Sequence, residues 1–218
     1  MDKKLIILGV GHVFDIEERI EEIISEEKPD AIALELDEER ASVIEGKDND
    51  NKRFVFSFYY FLSKYQENIA KKLGREVGKE MVAAMKIAKS RNIPVFYIDK
   101  KSYEVIAKLW NELSLKEKIL FLSSLFLSLF RSRKEIEKEL NEIKDKADEI
   151  IDEIGKKFPK IKRILVDERD EHMAYSLMNL SEKYNKILAI VGEGHISGIS
   201  RIIGDKLNSE IIHLKEII

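Results

Sequence analysis

The 218-residue sequence predicts an α/β fold: a mainly parallel sheet flanked by helices, with an inserted helical segment. Three observations carry that expectation. Short apolar runs recur along the chain, and amphipathic helical stretches lead from one to the next. The connection between the first two runs has the length of a βαβ crossover rather than a hairpin. Finally, the first run and a late one both end in a glycine-rich bend carrying a histidine, as ILGVGHV and IVGEGHI.

In order, KLIILGV reads as a short buried strand and FDIEERIEEIISEEK as a helix with Ile16, Ile20, Ile23 and Ile24 on one side. Pro29-Asp30 then separates that helix from a second strand, DAIALEL. GKEMVAAMKIAKSRN is a helix leading into IPVFYID, and DERDEHMAYSLMNLSEKYN is a helix leading into KILAIVG. SEIIHLKEI adds a last strand whose direction the pattern does not fix. Two phenylalanine-rich runs interrupt the layout. RFVFSFYYFLSKY fits a buried strand or helix. Ile119–Phe130 fits a helix that is buried, forms a subunit interface, or touches a bilayer shallowly. RKEIEKELNEIKDKADEIIDEIGKK follows, with Ile136, Leu140, Ile143, Ala147, Ile150 and Ile154 at alternating spacings of four and three. Such a seam packs on the chain's own body or on a second copy, and a homodimer is expected. The whole chain, 1–218, is read as one domain with a helical insertion at about 110–160.

Composition narrows the function. The formal charge is −3, from 38 Lys+Arg against 41 Asp+Glu, and no basic cluster is interleaved with aromatics, so nucleic acid is not an expected partner. Without cysteine there is no disulfide framework and no thiol nucleophile, and any metal must be held by His, Asp, Glu or water. The N-terminal apolar run is too short for a signal peptide, and no stretch reaches the roughly 20 apolar residues of a spanning helix. No transmembrane segment and a cytoplasmic location are the expectations.

Parallel sheets bind ligands beyond the carboxyl ends of their strands. His12 follows the first strand, Glu35 and Asp37 close the second, Asp99 ends the third, and His195 follows the fourth. In the bends, Gly9 and Gly11 precede His12, and Gly192 and Gly194 precede His195, letting the chain leave the strand abruptly. A phosphate cradle is disfavoured: Phe14 and Ser197 stand where GxGxxG needs its last glycine, and no GxxxxGK[ST] loop exists. The two histidines fit a shared divalent metal (Mn, Co or Zn), paired acid/base duty, or structural hydrogen bonds. Glu35 is the leading third group, since an ionised carboxylate on a central strand needs a partner.

Asp37 fits a functional role, a solvent-facing position or a helix cap. Asp167 suits an N-cap with Asp170 three residues on. Arg169 shares a face with Met173, Leu177 and Leu180, and an inward guanidinium needs an anion: Glu35, Asp99 or a substrate group. Lys100 and Lys101 are available to an anion. His172 is explained by a surface pair with Glu168, and His213 carries no signal.

ILGVGHV, EEKPDAIALELDEER, GKEMVAAMKIAKSRNIPVFYIDK, DERDEHMAYSL and KILAIVGEGHISGI together resemble the TraB/PrgY family, which includes pheromone-shutdown proteins and is related to the Tiki proteins. The resemblance runs in order from about residue 4 to 203 and weakens at 50–74 and 110–160. It implies a fold akin to erythromycin esterase and the haem-binding ChaN proteins. Tiki-type members are metal-dependent proteases with paired GxxH motifs and an acidic residue. Here these fall on Gly9 and His12, Gly192 and His195, and Glu35, with an ERD element on Glu168, Arg169 and Asp170. The family's ID is usually followed by arginine, where this chain has Lys100, which lacks the planar fork.

The functional expectation is a metal-dependent hydrolase acting on a peptide or small amide or ester. His12, His195 and Glu35 would hold the metal, Glu35 alternatively serving as base, and Arg169 would act on substrate or transition-state charge. Gly9, Gly11, Asp37, Asp99, Lys100, Glu168, Asp170, Gly192 and Gly194 would bind substrate or support the site. The rival is a non-catalytic peptide-, haem- or metal-binding protein of the pheromone-shutdown type. No GxSxG elbow competes.

Overall fold

The computed structural model describes residues 3–11, 14, 16–44, 78–128 and 132–218, with the backbone alone at 125, 128, 133, 136, 137 and 139–145. His12, the run around Phe54–Phe61 and the side chains of Ile136, Leu140 and Ile143 therefore lie outside the described residues.

Five strands form one all-parallel sheet: β1 (Lys4–Val10), β2 (Ala31–Leu34), β3 (Val95–Tyr97), β4 (Lys186–Gly192) and β5 (Ser209–Ile212). Their order is β3-β2-β4-β1-β5, so the terminal strand of open direction runs parallel to β1 at one edge. β4 inserts between β1 and β2, and helices cover both of its faces. The sequences KLIILGV and KILAIVG are apolar throughout because both of their faces are covered.

Period-two alternation sorts the strand residues into two cores. Ile6, Leu8 and Val10 of β1, Ile32 and Leu34 of β2, and Leu188 and Ile190 of β4 face α1 (Glu17–Glu27) and α3 (Lys79–Ser90). Ile20, Ile23 and Ile24 of α1 meet them at helical spacing, as do Met81, Ala84, Met85 and Ala88 of α3. On the opposite face, Leu5, Ile7, Ala31, Ala33, Ile187, Ala189 and Val191 pack under α8 (Glu168–Ser181) and α9 (Ile196–Ile203). Met173 and Leu177 of α8 are fully buried there, as the stripe beginning at Arg169 requires.

Between β2 and α3 lies α2 (Glu38–Ile44), and after β3 come α4 (Ser102–Glu112), α5 (Leu115–Ser128), α6 (Arg133–Lys157) and the short α7 (Pro159–Lys162). α4, α7 and the turn after it share a third, small core of Val105, Leu109, Leu113, Ile161 and Ile164. α6 starts at a capping box between Ser132 and Glu135 and is non-helical at Lys146. Its later half packs on the turn after β4 and the start of α9: Ile151 lies against Gly194, and Ser197 Oγ donates to Asp148 Oδ2 at 2.6 Å. The inserted segment thus adjoins the sheet's carboxyl edge.

Asp37 is a structural joint. Its Oδ1 accepts from the backbone N–H groups of Glu39 and Arg40, each at 3.0 Å, capping α2. Oδ2 accepts from the Ser102 N–H at 3.1 Å and hydroxyl at 2.6 Å, tying in the start of α4. Asp37→Ala is expected to cost about 2 kcal/mol, the upper end for one lost cap, because a second helix start loses its acceptor too. Urea unfolding measures this; an unchanged midpoint would count against the joint.

Candidate active site

The strand ends form a row along the carboxyl edge. In the spatial order β3, β2, β4, β1, β5 they lead into Asp99, Glu35, His195, Gly11 and His213. The two glycine-histidine bends leave adjacent strands, and Val10 of the first lies opposite Gly192 of the second.

Glu35 is 4% exposed and is the hub. Its Oε2 accepts from the Gly192 N–H at 2.6 Å. Its Oε1 takes a hydrogen bond from Nη2 of Arg169 and lies 3.3 Å from Nε2 of His195. Strand alternation explains the placement: Leu34 and Leu36 go into one core, so Glu35 is sent to the other face, under the start of α8.

Arg169 reaches it through an unusual piece of helix. Residues Arg163–Asp167 form a π-helical turn that runs directly into α8. The Leu165 carbonyl accepts from Nη1 of Arg169 at 3.1 Å. Nε and Nη2 then grip the two oxygens of Asp99 at 2.9 and 2.8 Å, a fork-to-fork pair. Burial works against the guanidinium's charge, but Glu35 and Asp99 outweigh it and hold its pKa above the ordinary value. Arg40 adds a more distant contact to Asp99, at 3.5 Å. The expected cap at Asp167 is not formed, because the chain is already helical there and its carboxylate pairs with Lys162 at 2.6 Å.

His195 is held from both sides: Nδ1 lies 2.5 Å from Asp170 Oδ1 while Nε2 faces Glu35. Burial alone would lower its pKa, but the Glu35 charge and the Asp170 contact win and raise it to about 9. In the metal-free chain this has a definite sign. The stabilisation is fully present below the unfolded pKa near 6.5 and is lost as pH rises through about 9, with a slope of at most ~1.4 kcal/mol per pH unit. Urea melts of chelator-treated protein at pH 6, 8 and 10 should show the fall, and His195→Gln should flatten it.

Two glycines permit this packing by their lack of a side chain. A Cβ at Gly192 would sit 3.2 Å from Oε2 of Glu35, and one at Gly198, in α9, would overlap the Asp170 carboxylate. The bend glycines have a similar reason. Gly9 lies against Glu193 and Ile196, Gly11 against Phe14 and Leu214, and Gly194 against Ile151; among the described glycines only Gly78 and Gly204 have positive φ. Close approach, rather than the abrupt turn expected from the sequence, accounts for them.

Glu168 stands at the rim, where Lys108 at 2.7 Å, Lys100 at 3.6 Å and Arg163 at 3.7 Å surround it. Burial alone would raise its pKa, but these cations outweigh it and hold the carboxyl below its ordinary value. Its partner is thus not His172, which lines a cleft of about 620 Å³ together with Tyr97, Asp99, Lys100, Lys108 and Glu168.

Sequence reasoning missed three contributors. Gly198 gave no signal except its place three residues after His195. Glu193 sat unremarked between the bend glycines, yet its carboxylate accepts from the Leu214 N–H at 2.8 Å and meets Nδ1 of His213 at 2.7 Å, fastening β5's end to the row. His213 is the other half of that contact. Among the described residues no group of three or more His, Asp or Glu is arranged to hold a metal. Nor is any helix among them long and apolar enough to cross a membrane.

Residues 1–207 match the family model described as TraB/PrgY/gumN family. The chain is also 34% identical over 227 residues to the uncharacterized protein MJ1365 of Methanocaldococcus jannaschii, a match covering 97% of this chain and 56% of that protein. The chain thus spans little more than half the length of this curated relative. With a family match over nearly the full length, this chain belongs to the TraB/PrgY/gumN family.

Proposed function

We propose that the chain is a metal-assisted hydrolase of a peptide or a small amide or ester, centred on Glu35 and His195. The observation that carries this reading is the convergence of a buried carboxylate and a buried imidazole at two adjacent strand ends with the part-buried guanidinium that α8 sends between them. A structural salt bridge needs only two of these groups. A buried, charge-dense cluster beside a cleft is where pKa-tuned chemistry concentrates.

The donor chemistry fits a divalent ion. Nε2 of His195 and Oε1 of Glu35 are 3.3 Å apart, so the two would hold one ion between them. A carboxylate behind Nδ1, here Asp170, is the outer partner that metal-bound histidines use to fix their tautomer. His12, outside the described residues, would be the third donor. When bound, such an ion polarises a carbonyl and lowers the pKa of water.

The chain's own residues do the remaining work. Asp99 holds Arg169, and Arg169 with the Gly192 N–H keeps Glu35 in one orientation. Where the histidines alone hold the ion, Glu35 serves instead as the base at which a proton is taken from water. Asp170 holds the His195 ring so that Nε2 points to the same place. Lys100, in the cleft that meets the cluster at Asp99, is available for the negative charge of a substrate.

A peptide-library cleavage screen, run after adding Mn²⁺, Co²⁺ or Zn²⁺ to chelator-stripped protein, tests the activity. Metal-stimulated cleavage abolished by His195→Gln is expected. Capture of a peptide without cleavage under all three conditions would instead favour a binding and sequestering protein.

A further inference from the structure

We propose that α5 docks this protein onto an anionic phospholipid surface. The helix presents Leu115, Ile119, Leu120, Leu122 and Leu127 to solvent, with Leu115 74%, Ile119 61% and Leu127 67% exposed. At about 100° per residue these side chains cover an arc of roughly 160°. Phe121, on the opposite side, packs against the small core of α4 and α7. An apolar stripe on a surface helix normally faces inward; this one faces out.

Three features select a bilayer as the occupant. First, the polar groups within the apolar stretch are internally satisfied: Ser123 and Ser124 donate to the Leu120 and Phe121 carbonyls at 2.8 and 2.7 Å. Second, from Leu115 to Glu135 the chain has five Lys or Arg (Lys116, Lys118, Arg131, Arg133, Lys134) against two Glu, in a chain whose net charge is −3. Both glutamates are engaged, Glu117 with Ser114 and Lys160, and Glu135 in the capping box with Ser132. The surplus is positive at both ends of the apolar stretch, as anionic headgroups require. Third, the same charges oppose a symmetric dimer. A two-fold contact through this face sets the patch against itself, and with both ends basic either helix orientation brings like charges together.

At 14 residues α5 is about 21 Å long, so the geometry is one of lying in the interface rather than crossing it. Trp110, with the Lys118 ammonium 4.9 Å from its ring centroid, flanks the helix as an aromatic-cationic pair at headgroup level.

The test uses the full chain with phosphatidylcholine vesicles and with vesicles containing 30% phosphatidylserine. Co-sedimentation is read alongside the emission of Trp110, the protein's one tryptophan. The expected result is binding to the anionic vesicles at least tenfold tighter than to neutral ones, with a blue shift of Trp110. Ile119→Asp/Leu127→Asp should lose that binding while keeping the parent's circular dichroism. Lys116→Glu/Lys134→Glu should weaken it at least tenfold, since each cation near such a surface is worth about fivefold. Failure of the parent to sediment with anionic vesicles, or equal binding by the Asp pair, would overturn the proposal. So would a parent dimer that binds no vesicles and becomes a monomer in the Asp pair, which assigns the face to a second copy.

Discussion

Arg169→Ala is expected to destabilise the protein by about 3–5 kcal/mol, the range for removing one partner of a buried ion pair. The loss comes less from the missing attraction than from what stays behind. Asp99 and Glu35 are 7% and 4% exposed, and both would stay buried with only the more distant contacts to Arg40 and His195. Arg169→Lys should recover only part, because an ammonium cannot reproduce the two-pronged grip on Asp99 while also reaching Glu35 and the Leu165 carbonyl. Urea unfolding of the three proteins, compared at one pH near neutrality, is the measurement. A loss under 1 kcal/mol for Arg169→Ala would mean that the two carboxylates are solvated or protonated in the native state.

The second large effect is on turnover. His195→Gln should abolish metal-stimulated cleavage of any peptide found by the cleavage screen, because it removes a ligand of the proposed ion. Gln retains the size and one polar end, so the fold should survive. Gly198→Ala is the more discriminating companion. It touches neither His195 nor Glu35, but its Cβ displaces the Asp170 carboxylate on which the His195 ring rests. A rate loss without a missing donor would show that the orientation of the ring is the quantity being protected. Parent-like kinetics in Gly198→Ala would show that Asp170 serves only packing.

Much of this arrangement was legible in the sequence, for a physical reason. Strands buried on both faces must be apolar throughout, so KLIILGV and KILAIVG announced themselves, and parallel connectivity then put their following residues on one edge. Glu35 could be placed because alternation across DAIALEL fixes its face, and Arg169 because it begins the stripe of Met173 and Leu177. The direction of β5 was not legible: four residues with two exposed positions carry no information about a partner 200 residues away. The start of α8 was misread because Asp-Glu-Arg-Asp has the composition of a cap, while the π-helical turn before it had already supplied the backbone bonds. Asp170 was assigned only by its place in the ERD element. Its contact depends on α9 approaching α8 closely, which depends on the absence of a side chain at Gly198, and a missing side chain leaves no periodic trace.

The central claim is that Glu35 and His195 form one metal-binding centre, and calorimetric titration of Mn²⁺, Co²⁺ and Zn²⁺ into chelator-stripped protein tests it most directly. The account predicts one equivalent bound by the parent for at least one of the three ions. Affinity should fall tenfold or more in His195→Gln and be unchanged in His172→Gln, whose imidazole lines the cleft but faces no part of the centre. A parent that binds none of the ions, or a His195→Gln variant that binds as tightly as the parent, would contradict it.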